Sequence, residues 1–341
     1  MATTLPSLTR TIDNAFVTTW YEIRTEAIDN ILDATVVWAA LKGAGCMKPQ
    51  EGGDLITRTI RYGRATATEI EKGDTLPQGE SELETMAIWR WRTIASHVQR
   101  NMFDDQKNRG KAKIKDLVGT KLKAAREALT EKFEDSLFNT HVTAETGKLF
   151  QGLNDLVPLT ADRATGTYGG IARPTAYAAE ANGVEVPSTG NTWWGPKYLP
   201  GTLSSIEDDL LTDMKRLYNS IHNNQEAPNL IITTQEIFEL YEEFAMDISQ
   251  IVKDESTRLA DLGFEVLRFK GKPLIWTPDL DEANMLMINT NHVEVVNDPG
   301  YWFEMSEWKP IPLQPDRIAH IICFSNMISA QLRRHGRLTY S

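Results

Sequence analysis

The spacing of the apolar positions changes several times along the chain, and each spacing predicts a different element. Between residues 16 and 41 the apolar positions follow a period near 3.6 residues, which predicts an amphipathic helix. The members of this stripe are Phe16, Trp20, Ile23, Ala27, Ile31 and Leu41. Such a stripe must dock on an apolar surface. The sequence leaves open whether that surface belongs to the same chain or to a neighbouring copy.

A glycine pair at residues 52–53 introduces two strand patterns. The run 54–62 is rich in β-branched residues and predicts a strand with Ile56, Ile60 and Tyr62 on one face. The run 85–95 predicts a second strand in which aromatic and basic residues alternate. That alternation is carried by Trp89, Arg90, Trp91 and Arg92. The two strands form a long hairpin, which is only marginally stable by itself in water and is therefore expected to rest on another surface.

The connection between these two strands is long, polar and acidic. Connections of about twenty residues are uncommon in compact domains and are often functional or disordered. Between residues 69 and 84 six acidic side chains accompany a single lysine, which gives a net charge of −5. The acidic residues are Glu69, Glu71, Asp74, Glu80, Glu82 and Glu84.

Residues 107–138 predict a long helix, because their apolar positions step by three and four residues. The stripe consists of Ile114, Val118, Leu122, Ala125, Leu129 and Phe133. Over residues 107–126 eight lysines and arginines accompany only Asp116, which gives a net charge of +7. The basic residues singled out as candidate contacts are Lys111, Lys113, Lys115, Lys121, Lys123 and Arg126.

The basic segment allows three interpretations. In the first, it binds phosphates, because lysine and arginine make most protein contacts to phosphate groups. In the second, it is a solvated helix face. In the third, its positive charge complements the acidic hairpin. We favour the third interpretation, in which the hairpin of one subunit lies over the helix of the next. Complementary charge of this kind sets register and orientation more than affinity.

The second half of the chain predicts an α+β unit after an irregular segment rich in glycine, proline and tryptophan (residues 150–202). Ser205 and Asp208 resemble an N-terminal cap pair that opens a helix. A short buried strand over 229–233 leads to a second helix that starts near Thr234. Further strands are predicted over residues 264–269, 273–276, 285–288, 293–296 and 318–324.

Composition narrows the function classes. Of the 341 residues 41% are apolar and 24% are charged, which is typical of a soluble globular protein. The net charge of −11 speaks against binding to nucleic acid through overall charge. No apolar run reaches the length of about eighteen residues that a membrane span needs. Cys46 and Cys323 are too few for a disulfide framework and lack zinc-site spacing, so the chain is expected to be a metal-free protein of a reducing compartment.

No established catalytic motif is present in the sequence. The segment 165–170, Thr-Gly-Thr-Tyr-Gly-Gly, is the nearest approach to a phosphate-binding loop. It lacks the following Lys-Ser/Thr pair, so we interpret it as a turn that needs positive φ. The acidic run 207–209 is interpreted as a helix N-terminus, and His292 and His335 as hydrogen-bonded or exposed side chains. A nucleotide-using enzyme built on residues 165–233 remains an alternative.

Short motifs follow one another in a fixed order over most of the chain. Gly52-Gly53, before a strand that ends at Tyr62-Gly63, looks like the entry into an extended loop, and Asn108-Arg-Gly110-Lys looks like the start of a spine helix. Further matches are Gly152-Leu153, Gly169-Gly-Ile171, Trp193-Trp194, Gly263-Phe264-Glu, Gly271-Lys-Pro273, Trp276-Thr-Pro278, Met287-Ile-Asn289-Thr, Trp302-Phe303, Gln314-Pro-Asp316 and Arg333-Arg-His-Gly-Arg337. In this order they resemble the major capsid protein family of tailed bacteriophages.

The resemblance implies the α+β tailed-phage major capsid protein fold. Its parts are an N-terminal arm (1–50), an extended β-hairpin loop with its base (51–100), a peripheral domain with the spine helix 107–138 (101–203), an axial domain with a mixed sheet and flanking helices (204–290), and strands that return to both domains (291–341).

The resemblance also implies the function of a non-enzymatic head protein without cofactor. Hexamers and pentamers of the chain would form an icosahedral shell around packaged double-stranded DNA, in a virion assembled in the bacterial cytoplasm. Besides itself, the expected partners are a portal protein and a separate scaffolding protein, since the chain starts almost at the arm. A decoration protein is a further partner that the resemblance allows, and contact with DNA would be non-specific. An encapsulin-like cellular compartment protein is the first alternative.

Overall fold

The computed structural model describes residues 35–63, 67–71, 82–101, 117–139, 148–223, 226–247, 267–281 and 283–341. The helices in these ranges are α1 (Val36–Gly43), α2 (Leu117–Phe138), α3 (Leu153–Leu156), α4 (Ile206–Ile221) and α5 (Gln235–Asp247). The strands are β1 (Met47–Pro49), β2 (Leu55–Arg61), β3 (Glu84–Arg90), β4 (Arg92–Asn101), β5 (Thr167–Tyr168), β6 (Ile171–Ala172), β7 (Ala176–Ala179), β8 (Glu185–Thr189), β9 (Lys197–Gly201), β10 (Leu230–Thr233), β11 (Leu267–Phe269), β12 (Lys272–Trp276), β13 (Asn284–Ile288), β14 (Val293–Asn297), β15 (Glu304–Met305), β16 (Lys309–Pro310), β17 (Asp316–Ser329) and β18 (Gly336–Tyr340).

An eight-stranded mixed sheet has the strand order β11-β12-β10-β13-β18-β9-β8-β7. Its central strands β10 and β13 are buried along their whole length. Successive residues point into two different cores: Ile231 packs in the core that includes α4, and Ile232 packs in the core that includes α2. Because both faces of the sheet are covered, these strands read as continuous apolar runs rather than as alternating patterns.

The helix α4 confirms the predicted apolar stripe but corrects the predicted cap. Leu210, Met214 and Leu217 are buried, as their spacing predicts. The hydroxyl of Ser205 instead donates to the carbonyl oxygen of Thr202 at 3.1 Å and caps no helical N–H group. The cap prediction was wrong because a short 3-10 helix over residues 203–205 leads directly into α4 and changes the backbone geometry at Ser205.

A second sheet of six strands is organised around β17. One edge of β17 pairs with β4 without interruption over residues 316–325, and the other edge pairs with β14, β15 and β16. The long helix α2 lies against β4. Phe133 of α2 is a centre of the core, since its carbonyl accepts the Trp38 Nε1–H at 3.0 Å and its ring stacks on Phe303.

The strand predicted over 85–95 is two strands, and the predicted alternation is wrong beyond Trp89. β3 pairs with β2, whereas β4 pairs with β17. Ala87 and Trp89 are buried in β3, but Arg92 and Ile94 are the buried positions at the start of β4. The chain changes partner at Trp91, and this corner reverses which residues face inward.

Several other predictions can be compared with the described residues. The long helix is confirmed over Leu117–Phe138, whereas residues 107–116 and the stripe from Phe16 to Ile31 lie outside the described part of the chain. The hairpin predicted from residue 264 is present as β11 and β12. No described helix is both long and apolar enough to cross a membrane. The domain boundaries stay predictions; the eight-stranded sheet takes β7, β8 and β9 from before residue 204.

Candidate assembly interface

The predicted hairpin is present as an antiparallel pair of strands, which we call the ribbon (β2 and β3). Its register runs from Leu55 opposite Arg90 to Arg61 opposite Glu84. Alternate residues point to opposite faces of such a pair. The buried residues of the inner face are Ile56, Ile60, Ala87 and Trp89, and the half-buried Arg58 and Thr85 lie on the same face.

The inner face of the ribbon rests on the turn between β5 and β6. Gly169 and Gly170 form this turn with φ values of +62° and +72°, which is typical of a two-residue hairpin turn of type I′. A Cβ atom at Gly169 would lie 2.8 Å from the indole of Trp89. The interpretation of 165–170 as a positive-φ turn is confirmed, and the Trp89 ring packs directly against Gly169.

Two further contacts hold the middle and the far end of the ribbon. Arg58 donates from Nε and Nη2 to Glu294 Oε2 of β14, at 2.9 and 2.8 Å. Near the other end Tyr62 stacks on Trp193 with ring centroids 4.6 Å apart. The Tyr62 hydroxyl donates to Glu82 Oε2 at 2.9 Å, and this hydrogen bond raises the pKa of Tyr62.

The outer face of the ribbon is exposed although it carries large apolar residues. Leu55, Met86 and Ile88 are 36%, 57% and 39% exposed. Thr57 and Thr59 lie between them on the same face. Contiguous apolar residues on an exposed face are typical of an interaction surface. Sequence analysis missed this surface because we followed only the inner-face positions; the signal was the apolar residues at the intervening positions of the same two runs.

Two of the acidic candidate residues, Glu82 and Glu84, lie at the end of the ribbon that is away from Trp91. Glu69, Glu71, Glu82 and Glu84 are exposed. Asp74 and Glu80 lie outside the described residues. The described part of the acidic connection therefore presents carboxylates to solvent, as a charged contact surface requires.

The basic candidate residues differ in their surroundings. The half-buried Lys121 donates from Nζ to the carbonyl oxygen of Gln99 in β4 at 2.7 Å. Lys123 is exposed and lies 3.9 Å from Glu127 of the same helix, an ion pair of small energetic value. Arg126 is half-buried. Lys111, Lys113 and Lys115 lie outside the described residues, and the pairing of hairpin and helix between copies stays a prediction.

Burial shifts the pKa values of both cysteines and of His335, and the two histidines singled out in the sequence have hydrogen-bond partners. Burial raises the pKa of the Cys46 thiol to about 11 and that of Cys323 well above its usual value. Burial lowers the pKa of His335 to about 3; its Nδ1 accepts from the backbone N–H of Asn289, and its Nε2 lies 3.0 Å from Ser329 Oγ. His292 Nε2 lies 3.1 Å from Glu226 Oε2. Both histidines are hydrogen-bonded, as interpreted from the sequence.

The search for other chemistry used the described residues alone. Within them, no three histidine, cysteine, aspartate or glutamate side chains are grouped closely enough to hold a metal ion. What this region offers is therefore a set of contact surfaces: an exposed apolar ribbon face, exposed carboxylates near its end, and a long helix with basic residues.

Comparisons with known proteins give structural likeness without sequence likeness. No family model matches the chain, and no curated protein matches it. The capsid of cyanophage A-1(L) is similar in structure with a TM-score of 0.59 at 15% identity, over 88% of this chain and 92% of that one. The capsid of a native GTA particle gives a TM-score of 0.56 at 10% identity, over 89% and 90% of the two chains.

A third solved structure supports the same conclusion. The capsid of Myoviridae phage XM1 has a TM-score of 0.51 at 9% identity, over 88% of this chain and 91% of that one. At such identities the likeness concerns the fold, and it extends over most of each chain. The α+β architecture with its ribbon, long helix and two sheets is the capsid-protein fold of tailed bacteriophages.

Proposed function

We propose that this chain is the major head protein of a tailed double-stranded DNA bacteriophage and that it acts structurally, without catalysis. The observation that carries the proposal is the fold, which matches a cyanophage capsid over 88% of the chain. The exposed apolar face of the ribbon supports it. A protein that works alone gains nothing from an extended two-stranded ribbon with one uncovered apolar face, whereas a shell subunit covers it with a neighbour.

In this proposal hexamers and pentamers of the chain form an icosahedral shell. The ribbon of one copy lies over α2 of the next, and the carboxylates of residues 69–84 face the basic residues of 107–126. The net charge of −11 is compatible with a shell that encloses DNA without binding it tightly, because the protein and the phosphate backbone are both negatively charged. A portal protein would complete the head in the virion, after assembly in the bacterial cytoplasm.

Electron microscopy of the purified protein tests the proposal directly. We expect closed shells from the assembled protein, and DNA-filled heads with tails from its natural source. Small compartments loaded with a protein cargo and free of DNA would favour the encapsulin-like alternative. A protein that stays monomeric at high concentration and turns over a small molecule would refute both, and nucleotide binding measured by calorimetry would favour the enzyme alternative.

Charge reversal tests the pairing of hairpin and helix. We expect the double variant Glu69→Lys, Glu84→Lys to fold normally, because both side chains are exposed, but to assemble poorly at low salt, because like charges then face each other. Adding Lys123→Glu and Arg126→Glu should restore assembly. The matched control is Glu242→Lys, Glu243→Lys on α5, which makes the same change of charge elsewhere. Normal particle yield from the first variant would contradict the pairing.

A further inference from the structure

One face of the eight-stranded sheet carries a row of polar side chains in the interior of the subunit. Tyr198 of β9 is the register partner of Arg337 in β18 on one side and of Glu185 in β8 on the other. Partner residues of neighbouring strands point to the same face of a sheet, and Tyr198 packs in the core that includes α2. The side chains of Arg337 and Tyr198 are buried, so a guanidinium group lies inside the subunit.

Two residues from other positions pack against this row. The ring of Tyr177 packs edge to face against Tyr198, with centroids 5.2 Å apart. The guanidinium carbon of Arg163 lies over both rings, 4.9 Å from the Tyr177 centroid and 5.3 Å from the Tyr198 centroid. Arg163 also donates from Nη1 to Glu185 Oε2, so its charge has a carboxylate partner within the chain.

A third arginine, Arg173, is anchored beside Arg337 by the helix α3. Nη2 of Arg173 donates to the backbone carbonyl oxygen of Asp155. Nη2 of Arg337 donates to Oδ1 of the preceding residue, Asn154. Burial raises the pKa of Tyr198, and the positive charges of Arg173 and Arg337 oppose that rise, so both guanidinium groups lie near the Tyr198 hydroxyl. Within the described residues neither arginine forms an ion pair.

Five buried polar atoms of this cluster have no hydrogen-bond partner in the part of the chain that the structure describes. They are Nε and Nη1 of Arg337, Nη1 of Arg173, and the hydroxyl oxygens of Tyr177 and Tyr198. Arg173 lies over the ring of Tyr168, 5.4 Å from its centroid, a contact that leaves Nη1 without an acceptor. Buried donors without acceptors destabilise a folded protein and are rare in native structures. Such a group of donors indicates an acceptor that is not part of the chain.

The charges of the cluster do not balance. Three guanidinium groups face the two carboxylates of Asp155 and Glu185, and three positive charges minus two negative charges leave +1. Burial lowers the pKa of Arg337 to about 10, so this side chain is still protonated at neutral pH. Asp281 attracts Arg337 as well, but Asp281 is exposed to solvent. Buried charges are normally paired, so the acceptor is expected to carry a single negative charge.

We infer that the folded subunit binds one small monovalent anion, chloride in ordinary buffers, between Arg173, Arg337 and Tyr198. An anion accepts the N–H and O–H donors that the chain leaves unpaired, and hydrogen bonds to a charged group are strong. One negative charge also cancels the excess of +1. The donor atoms are all shielded from solvent, so the ligand must be small. The inference goes beyond the proposed function, because it concerns the folded state of one subunit and not assembly.

Urea unfolding of the free subunit tests the inference. The measurements are made in mixtures of sodium chloride and sodium gluconate at constant ionic strength, since gluconate is too large for an enclosed site. A ligand that binds only the folded state stabilises it by mass action. Each tenfold rise in chloride above its dissociation constant should therefore lower the equilibrium constant of unfolding about tenfold. An equilibrium constant that is the same in both salts would overturn the inference.

The variant Tyr198→Phe removes one donor and keeps the ring. In chloride the variant loses a hydrogen bond to a charged group, so its equilibrium constant of unfolding should be at least about tenfold larger than that of the wild type. In gluconate the hydroxyl is an unpaired buried group, and its removal should not destabilise the subunit. Equal losses in the two salts would mean that water molecules satisfy the hydroxyl, and the inference would be wrong.

The variant Arg337→Met removes the buried charge and keeps a long side chain, and we expect it to show no chloride dependence. The matched control is Arg58→Met, since Arg58 is already paired with Glu294 on β14 and its loss should leave the chloride dependence unchanged. A chloride dependence that persists in Arg337→Met would show a general salt effect and contradict the site. If Arg337→Met does not fold, Tyr198→Phe still decides. Each readout is the folding of one subunit, so failure of this inference leaves the proposed function unaffected.

Discussion

The eight-stranded sheet and the ribbon contain similar strand-forming residues, but they differ in how much of their apolar surface is buried within the chain. In the sheet, β10 and β13 are buried on both faces, between the core of α4 and the core of α2. In the ribbon, the inner face is buried on the Gly169 turn while the outer face, with Met86 and Ile88, stays exposed. One chain covers both faces of the sheet at these strands but only one face of the ribbon.

This difference indicates which apolar surfaces stabilise the subunit and which are available to stabilise an assembly. Apolar area that is already buried stabilises the subunit, and apolar area that is still exposed remains available to stabilise an interface. Substitutions in the sheet should therefore act on the free energy of unfolding. Substitutions on the outer face of the ribbon should act on assembly.

The largest effect is expected in the sheet. Leu286 of β13 is fully buried, and Leu286→Ala should lower the free energy of unfolding of the free subunit by about 3 kcal/mol because it leaves a cavity. Urea unfolding measures this value. Ile88→Ala on the ribbon's outer face is the comparison, and a loss as large as that of Leu286→Ala would show that the ribbon is as complete as the sheet.

The contact between ribbon and turn can be tested with neighbouring glycines. Gly169→Ala and Gly170→Ala share the cost of a left-handed backbone, but only the first places a Cβ against Trp89, at 2.8 Å. We expect Gly169→Ala to lose about 2 kcal/mol more than Gly170→Ala, as overpacked sites do. Trp fluorescence should change only in Gly169→Ala. Equal losses would mean that the Trp89 contact does not hold the ribbon.

The buried His335, directly before strand β18 of the eight-stranded sheet, should make the free energy of unfolding depend on pH. His335 has its pKa lowered to about 3 by burial, whereas an unfolded histidine titrates near 6.5. The unfolded state therefore binds the proton first as the pH falls, and stability is lost below that value. Between pH 7 and pH 5.5 the loss should be about 1.3 kcal/mol.

The control for this effect is His335→Gln, which cannot titrate. Its unfolding free energy will be lower than that of the wild type at pH 7 but should change less between the two pH values. An equal pH dependence in wild type and variant would assign the effect to other groups.

Elements with a local signal were predictable from the sequence. The period of α4 and the apolar run of β10 indicated their type and position, because each pattern lies within a few neighbouring residues. The corner at Trp91 was not predictable, since the change of partner from β2 to β17 depends on a strand more than two hundred residues away.

The candidate contacts show the same limit. The charges of the hairpin and of the long helix are readable in the sequence, but the hydrogen bond from Lys121 to the Gln99 carbonyl is a tertiary contact. The turn at residues 311–316 shows the limit again, because its left-handed residue is Leu313, with a φ of +62°, at a position where the sequence rule expects glycine.

The smallest effect on subunit stability is expected at Met86, where the effect on assembly should be clearly larger than the effect on folding. This residue is 57% exposed on the ribbon's outer face, so Met86→Gln should change the unfolding free energy of the free subunit by less than about 0.5 kcal/mol. If a neighbouring copy covers the outer face in the shell, as proposed, the lost apolar burial should amount to about 1 kcal/mol per subunit.

That loss should raise the protein concentration needed for assembly about fivefold, which light scattering measures. Met86→Leu keeps the apolar area and should assemble like the wild type, so a defect in both variants would point to side-chain shape rather than burial. If Met86→Gln instead assembles normally, the outer face is exposed in the shell as well. The ribbon would then be held in the assembly by its charges alone.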